Sequence, residues 1–133
     1  MSSDRIEFLK KDFVQGFIAF CGVEVLRADY GLFETCLKVR KEHRQQDGFV
    51  HAGVIATMTD HTSGYASFTT VSDQFRILTV EFKINYFKPA AGPVMICRSK
   101  VINNGKKIKV VEAEVFSVSD GLEKLVSKGM FTQ

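Results

Sequence analysis

Ala52 to about Thr70 reads as one long helix with no proline inside it, and everything after it reads as strand upon strand. That asymmetry constrains the fold. A single long helix must bury its apolar stripe against something, and the rest of the chain offers it a sheet. Val80, Phe82, Ile84 and Tyr86 alternate with Glu81, Lys83 and Asn85. Pro89 to Pro93 is a turn, Val94 to Ile102 a strand, and Asn103-Asn104-Gly105 a hairpin signal. Ile108 to Val118 and Leu122 to Phe131 come next, separated by a turn at Ser119-Asp120-Gly121. Before the long helix, Ile6, Leu9, Phe13, Phe17 and Phe20 space an amphipathic helix over about residues 4–20, which Gly16 weakens and Gly22 ends. Val23 to Leu26 is a short strand and Ala28 to Gly31 a turn. Phe33, Thr35, Leu37 and Val39 line one face of the next strand. The order is helix, two strands, long helix, four strands. It predicts an α+β domain with one long antiparallel sheet wrapped around a central α-helix.

With 133 residues, the chain fits one domain spanning 1–133 and is long enough to bury a core without staples. Twelve Phe and no Trp predict a Phe-rich core. A net charge of +3 permits a local basic patch but does not point to nucleic acid. Cys21, Cys36 and Cys97 form no CxxC pair and read as buried reduced thiols of a cytosolic protein. Met1 to Arg5 lacks the pattern of a signal peptide, and no apolar run reaches the roughly 18 residues of a membrane span.

The chemistry concentrates between Gln45 and Asp60. A polar loop, Lys41 to Gly48, delivers His51, Ala52 and Gly53 to the helix start. Asp60 then sits mid-helix among small and apolar residues, where an acid costs stability unless paired or used. Val54, Met58, His61, Tyr65 and Phe68 form a bulky stripe expected to face the sheet. Gly53, Ala56, Asp60, Ser63, Gly64 and Ser67 form a small-residue face expected to meet another copy. The free N–H groups of a helix start can hold an oxyanion. Gly53 and Asp60 lie roughly 10 Å apart along the axis. One chain therefore cannot easily aim both at one atom, whereas two antiparallel helices related by a two-fold axis can. The expectation is an active site shared across a homodimer.

Each of these residues also has a plainer reading. Asp60 fits a buried structural acid as well as a catalytic one. His51 fits a helix-start residue bonding backbone. His43 and His61 read as ordinary, with His61 on the core stripe. Three His without ligand spacing, and no Cys or acid cluster, do not make a metal site. Ser63 lacks the G-x-S-x-G setting of a nucleophile. Asn104-Gly105-Lys106-Lys107 is a hairpin tip whose lysines are either simply solvated or hold a phosphate.

Gln45, then His51-Ala52-Gly53 six residues later, then Asp60 nine after the His, resembles the pattern of the hotdog-fold acyl-CoA thioesterases, in particular the phenylacetate-degradation and 4-hydroxybenzoyl-CoA thioesterase group. Thr79 to Ala90 resembles that family's strand after the helix, and Asn103 to Ile108 its hairpin. The likeness covers about residues 22–131. It implies a hotdog fold and hydrolysis of an acyl-CoA to free acid and CoA. Asp60 would activate water or attack the thioester. The N–H of Ala52 or Gly53 would bind the developing oxyanion, Gln45 would orient the carbonyl or the water, His51 would brace the loop, and Thr79 could hold the water. Tyr86, Asn103, Asn104, Gly105, Lys106 and Lys107 would line the CoA groove, with Arg76 a further phosphate candidate. One departure stands out: Ala52 replaces the first Gly of the usual H-G-G, keeping its N–H but adding a methyl.

The reading is a cytoplasmic thioester hydrolase, homodimeric or homotetrameric. CoA is part of its substrate, and no metal or other cofactor, nucleic acid or membrane partner is involved. Two rivals remain on the sequence. One is a non-catalytic acyl-CoA-binding sensor, suggested by Ala52. The other is a hotdog hydratase or dehydratase, which would need a His and an acid converging on Cα and Cβ.

Overall fold

The computed structural model describes residues 3–133; Met1 and Ser2, where the segment read as lacking a signal peptide begins, lie outside them. Two short helices open the chain, α1 (Ser3–Phe13) and α2 (Gly16–Cys21). The expected single helix to Phe20 is broken because Gly16 takes a left-handed φ of 52°, which no continuous helix accommodates. The break turns the apolar pattern outward. Leu9 and Phe13 are buried, whereas Phe17 and Phe20 are 65% and 77% exposed. Strands β1 (Val23–Asp29) and β2 (Leu32–Lys38) come next. After a short 3-10 turn at Lys41–His43 comes the long helix α3 (Ala52–Phe68). Four strands complete the chain: β3 (Glu81–Tyr86), β4 (Val94–Asn104), β5 (Lys109–Ser119) and β6 (Leu122–Thr132).

All neighbours in the sheet are antiparallel, in the order β1-β2-β4-β5-β6-β3. The β5–β6 hairpin closes through Asp120-Gly121, whose φ values of 53° and 77° match the backbone twist of a tight hairpin. Register shifts at Val25/Arg27, Val101/Asn103 and Val115/Phe116 bend the strands and curl the sheet around α3. Alternate residues point inward as expected: Phe33, Thr35 and Leu37 on β2, Met95, Cys97 and Ser99 on β4, Val111, Ala113 and Val115 on β5. The outward alternates carry charge, including the Arg98–Glu123 pair at 2.7 Å and the contacts of Lys128 with Glu112 and Glu114.

The faces of α3 differ from the sequence expectation. The residues it buries are Ile55, Met58, Thr59, Thr62, Ser63, Tyr65, Ala66 and Ser67. Val54, His61 and Phe68 are only half-buried. The sheet side brings the bulk, so the helix presents small hydroxyl-bearing residues and lies close. Thr62 and Thr35 share a hydrogen bond at 2.9 Å, and the Ser99 hydroxyl donates to the Phe33 carbonyl at 2.9 Å. Ser63 and Ser67 thus move from the expected outer face into the interior. Gly53, Ala56, Asp60 and Gly64 stay outward or half-buried. The core is not Phe-rich either: only Phe13, Phe33 and Phe131 among the twelve Phe are buried. Cys97 is fully buried, with its thiol pushed up to about 12 by desolvation, while Cys21 and Cys36 are half-buried and all three are free.

Candidate active site

The loop before α3 is fixed by backbone and by His43. The Arg40 N–H donates to His43 Nδ1 at 2.8 Å, leaving Nε2 as the protonated nitrogen that donates to the Cys21 carbonyl at 2.6 Å. The His43 carbonyl accepts the His51 N–H at 2.8 Å, and the Ala90 carbonyl accepts the Val50 N–H at 2.9 Å. His43, read as ordinary from sequence, is a buried tie between the end of α2 and the start of α3.

Three residues define the helix start. His51 caps it, its Nδ1 accepting the Gly53 N–H at 2.8 Å. That bond uses one of the two oxyanion candidates. The Ala52 N–H has no acceptor among the described residues, as the geometry of a first helical residue dictates. Gln45 turns its carbonyl oxygen to the Asp47 N–H at 2.5 Å, so its NH₂ group is the part left to meet a ligand. Gln45, His51 and Ala52 line one cleft of about 540 Å³, together with Phe49, Ile55 and Tyr86. The Tyr86 hydroxyl donates to the Ala52 carbonyl at 3.2 Å, and burial raises its pKa.

Asp60 opens into a different cleft, of about 450 Å³, with Gln15, Phe17, Ile18, His61 and Phe82 on its walls. The Thr79 hydroxyl donates to Asp60 Oδ1 at 2.6 Å, with Gln133 Oε1 3.1 Å from the same hydroxyl. This bond fixes one carboxylate oxygen and leaves the other for a water or a thioester carbon. Thr79, which the family resemblance implies could hold the water, meets Asp60 directly through its hydroxyl.

Two of the five predicted hairpin residues, Lys106 and Lys107, line a third cleft, of about 380 Å³, whereas Asn103, Asn104 and Gly105 do not. Lys106 and Lys107 share it with Arg76, Lys109 and the apolar side chains of Phe75 and Leu78. Lys109 is buried, and its ammonium donates to Asn104 Oδ1 and to the Gly105 carbonyl at 3.0 Å, which stiffens the hairpin. Asn104 also donates to the Tyr30 hydroxyl at 3.1 Å, and Asn103 lies beside the β4 bulge. Within the chain Tyr86 is therefore separate from Lys106 and Lys107. Lys109, Gln133 and the wall beside Asp60 were not found from sequence. Phe17 and Ile18 carry the same apolar signal as core residues, so pattern alone could not single them out.

The family model of the thioesterase superfamily matches residues 47–124. The chain belongs to the thioesterase superfamily. It is a thioester hydrolase with the hotdog fold. The crystal structure of a thioesterase family protein from Silicibacter pomeroyi superposes with a TM-score of 0.92 at 30% identity, over 96% of this chain and 95% of that one. A Saccharolobus solfataricus protein, whose name assigns it provisionally to the esterases, is 34% identical over 103 residues, 77% of this chain and 71% of its own. Human acyl-coenzyme A thioesterase 13 is 28% identical over 98 residues, 73% of this chain and 68% of its own.

Proposed function

We propose that the protein hydrolyses acyl-CoA thioesters in a site shared between two copies of the chain. The observation that carries this reading is the separation of the two half-sites. The free Ala52 N–H and Gln45 face one cleft, Asp60, held by Thr79, faces another, and roughly 12 Å of helix lies between Ala52 and Asp60. An antiparallel second α3 would bring its Asp60 to the first copy's helix start. Two features favour such pairing. The outer residues of α3 include Gly53, Ala56 and Gly64, which permit close approach. Strand β3 pairs only with β6 among the described residues, and its open edge carries the exposed Phe82 and Tyr86. The similarity to human acyl-coenzyme A thioesterase 13 supports CoA as the thiol.

In this mechanism the thioester carbonyl oxygen accepts the Ala52 N–H, and the Gln45 NH₂ group adds a second donor. Asp60 of the second copy either takes a proton from the attacking water or attacks the carbonyl carbon itself. When water attacks, the C–S bond breaks and CoA leaves as thiolate with the free acid formed directly; when Asp60 attacks, loss of the thiolate leaves a mixed anhydride on Asp60 that water then hydrolyses to free acid and carboxylate. The cationic cleft of Arg76, Lys106 and Lys107 suits the CoA phosphates. Free-thiol release from acetyl-, octanoyl-, lauroyl- and phenylacetyl-CoA tests the reading. Asp60→Asn should lower release on the order of 100-fold or more while the oligomer mass stays constant. Release by Asp60→Asn at the wild-type rate would refute it.

A further inference from the structure

Gln133, just beyond β6, reaches Asp60 through one intermediary. Its backbone is pinned to β5: its N–H donates to the Lys109 carbonyl at 2.9 Å, and its carbonyl accepts the Lys109 N–H at 3.1 Å. On the other side the Val80 N–H donates to the Thr132 carbonyl at 2.8 Å, which lays Thr79 beside the end of β6. The Gln133 residue is only 5% exposed. Its side-chain amide lies 3.1 Å from the Thr79 hydroxyl, which in turn lies 2.6 Å from Asp60 Oδ1. The proton count decides the direction of this chain. Thr79 has one hydroxyl proton, and an ionised Asp60 has none to give. The shorter contact, to Asp60, takes the Thr79 proton. With its oxygen toward Thr79, the Gln133 amide would then set acceptor against acceptor, and its NH₂ group would stay buried with no partner among the described residues. A half-turn of the amide exchanges the two atoms without changing its shape. Nε2 then donates to the Thr79 oxygen, and the carbonyl takes the position without a partner, where an unmet acceptor is better tolerated than an unmet donor.

We propose that Gln133 is a positioning residue for hydrolysis: its amide donates to the Thr79 hydroxyl and thereby commits the Thr79 proton to Asp60. The inference rests on Asp60 being the base or nucleophile. Thr79 is exposed, so its O–H alone is free to rotate toward solvent. A donor on the hydroxyl oxygen removes that freedom and leaves Asp60 Oδ1 as the acceptor the proton faces. It also polarises the O–H bond and strengthens the contact beyond it. One carboxylate oxygen of Asp60 is then held, and the other keeps its lone pairs for the reacting atom. Gln133 itself lines the cationic cleft of Lys106 and Lys107, not the cleft of Asp60, so it acts through Thr79 rather than on the substrate carbonyl.

The test is a double-mutant cycle between Gln133 and Thr79. Gln133→Met keeps the length of the side chain and removes the donor, whereas Gln133→Asn keeps the amide but falls one methylene short. On the acyl-CoA that the wild type hydrolyses fastest, each should lower kcat about fivefold with KM unchanged. In the Thr79→Val background, each should change kcat by less than about twofold, because the group it acts through is gone. Equal losses in both backgrounds, or a loss confined to KM, would refute the role. A second measurement needs neither Gln133 variant nor activity. The side-chain amide protons of Gln133, assigned by NMR through their own backbone, should move on Thr79→Val toward the position of an exposed glutamine. Amide protons that do not respond to Thr79→Val would put the carbonyl against Thr79 and overturn the proposal. Failure of the underlying reading looks different. Thiol release unaffected by Asp60→Asn would remove Asp60 and this role together, whereas release lost in Asp60→Asn without coupling between Gln133 and Thr79 overturns the role of Gln133 alone.

Discussion

Ala52→Pro deletes one N–H and disturbs little else. Ala52 is the first residue of α3, the helical position proline favours. His51 before it has φ −63° and ψ 136°, the extended region to which a residue preceding proline is confined. The Ala52 side chain is exposed, and its N–H has no helical acceptor to lose. The folded state therefore sheds no hydrogen bond. The stiffer unfolded chain favours proline, so stability should rise or fall by no more than about 1 kcal/mol. The barrier responds differently. The Gly53 N–H is already bonded to His51 Nδ1, which leaves Ala52 as the open backbone donor for the thioester oxyanion. Losing such a donor costs roughly 3 kcal/mol, or about 100- to 1,000-fold in kcat. Thiol release and thermal melting measure the two effects in parallel, with Ala52→Gly as the control that keeps the N–H. Retention of a tenth or more of wild-type kcat by Ala52→Pro, roughly 1.4 kcal/mol or less, would refute this assignment and shift the donor to Gly53 with His51 turned away. The same variant tests the shared site. Ala52→Pro and Asp60→Asn damage different halves, so random exchange of dimer subunits should restore roughly a quarter of wild-type activity. No recovery on mixing would place both halves in one chain.

Thr79→Val removes the hydroxyl that holds Asp60 Oδ1 and should lower kcat about tenfold with KM little changed, as steady-state kinetics would record. An unchanged kcat would make that contact structural. Lys106→Ala combined with Lys107→Ala should raise KM for CoA esters several-fold more than it lowers kcat. An equal effect on a phosphate-free thioester would remove both lysines from CoA recognition. His61 has a folded-state pKa held below its ordinary value of 6.5, chiefly by burial. The unfolded chain therefore binds the proton first, and stability is lost as pH falls below 6.5 through the lower folded value. The melting temperature of His61→Gln should decline less over that window, and parallel curves would show that another group sets the slope.

The strands were legible because each has one covered face, which writes period two into Phe33-Thr35-Leu37 and its counterparts. The helix start was legible because a chain entering a helix needs a cap, and His51 provides it. Strand order was not: β3 precedes β4 in sequence but lies at the far edge beside β6, a pairing that no local pattern encodes. Nor were the faces of α3. Bulk signals burial when a helix packs on its own terms, but a sheet that curls around the helix supplies the bulk and asks for Thr59, Thr62 and Ser63 in return. His61, displaced from the sheet side, packs edge-on against Phe13 of α1, as the buried Tyr65 also does, and Phe13 stacks on Phe33. Phe17 reads as core from sequence for a related reason. An apolar side chain held at the surface and one facing a core satisfy the same periodicity, and the difference between them is whether the backbone holds the residue open. Here Gly16 breaks the helix, and Asp12, Arg40 and His43 fasten the segment beyond it. The exposure of Phe17 is therefore set by the backbone around it, which the apolar periodicity of the segment does not report.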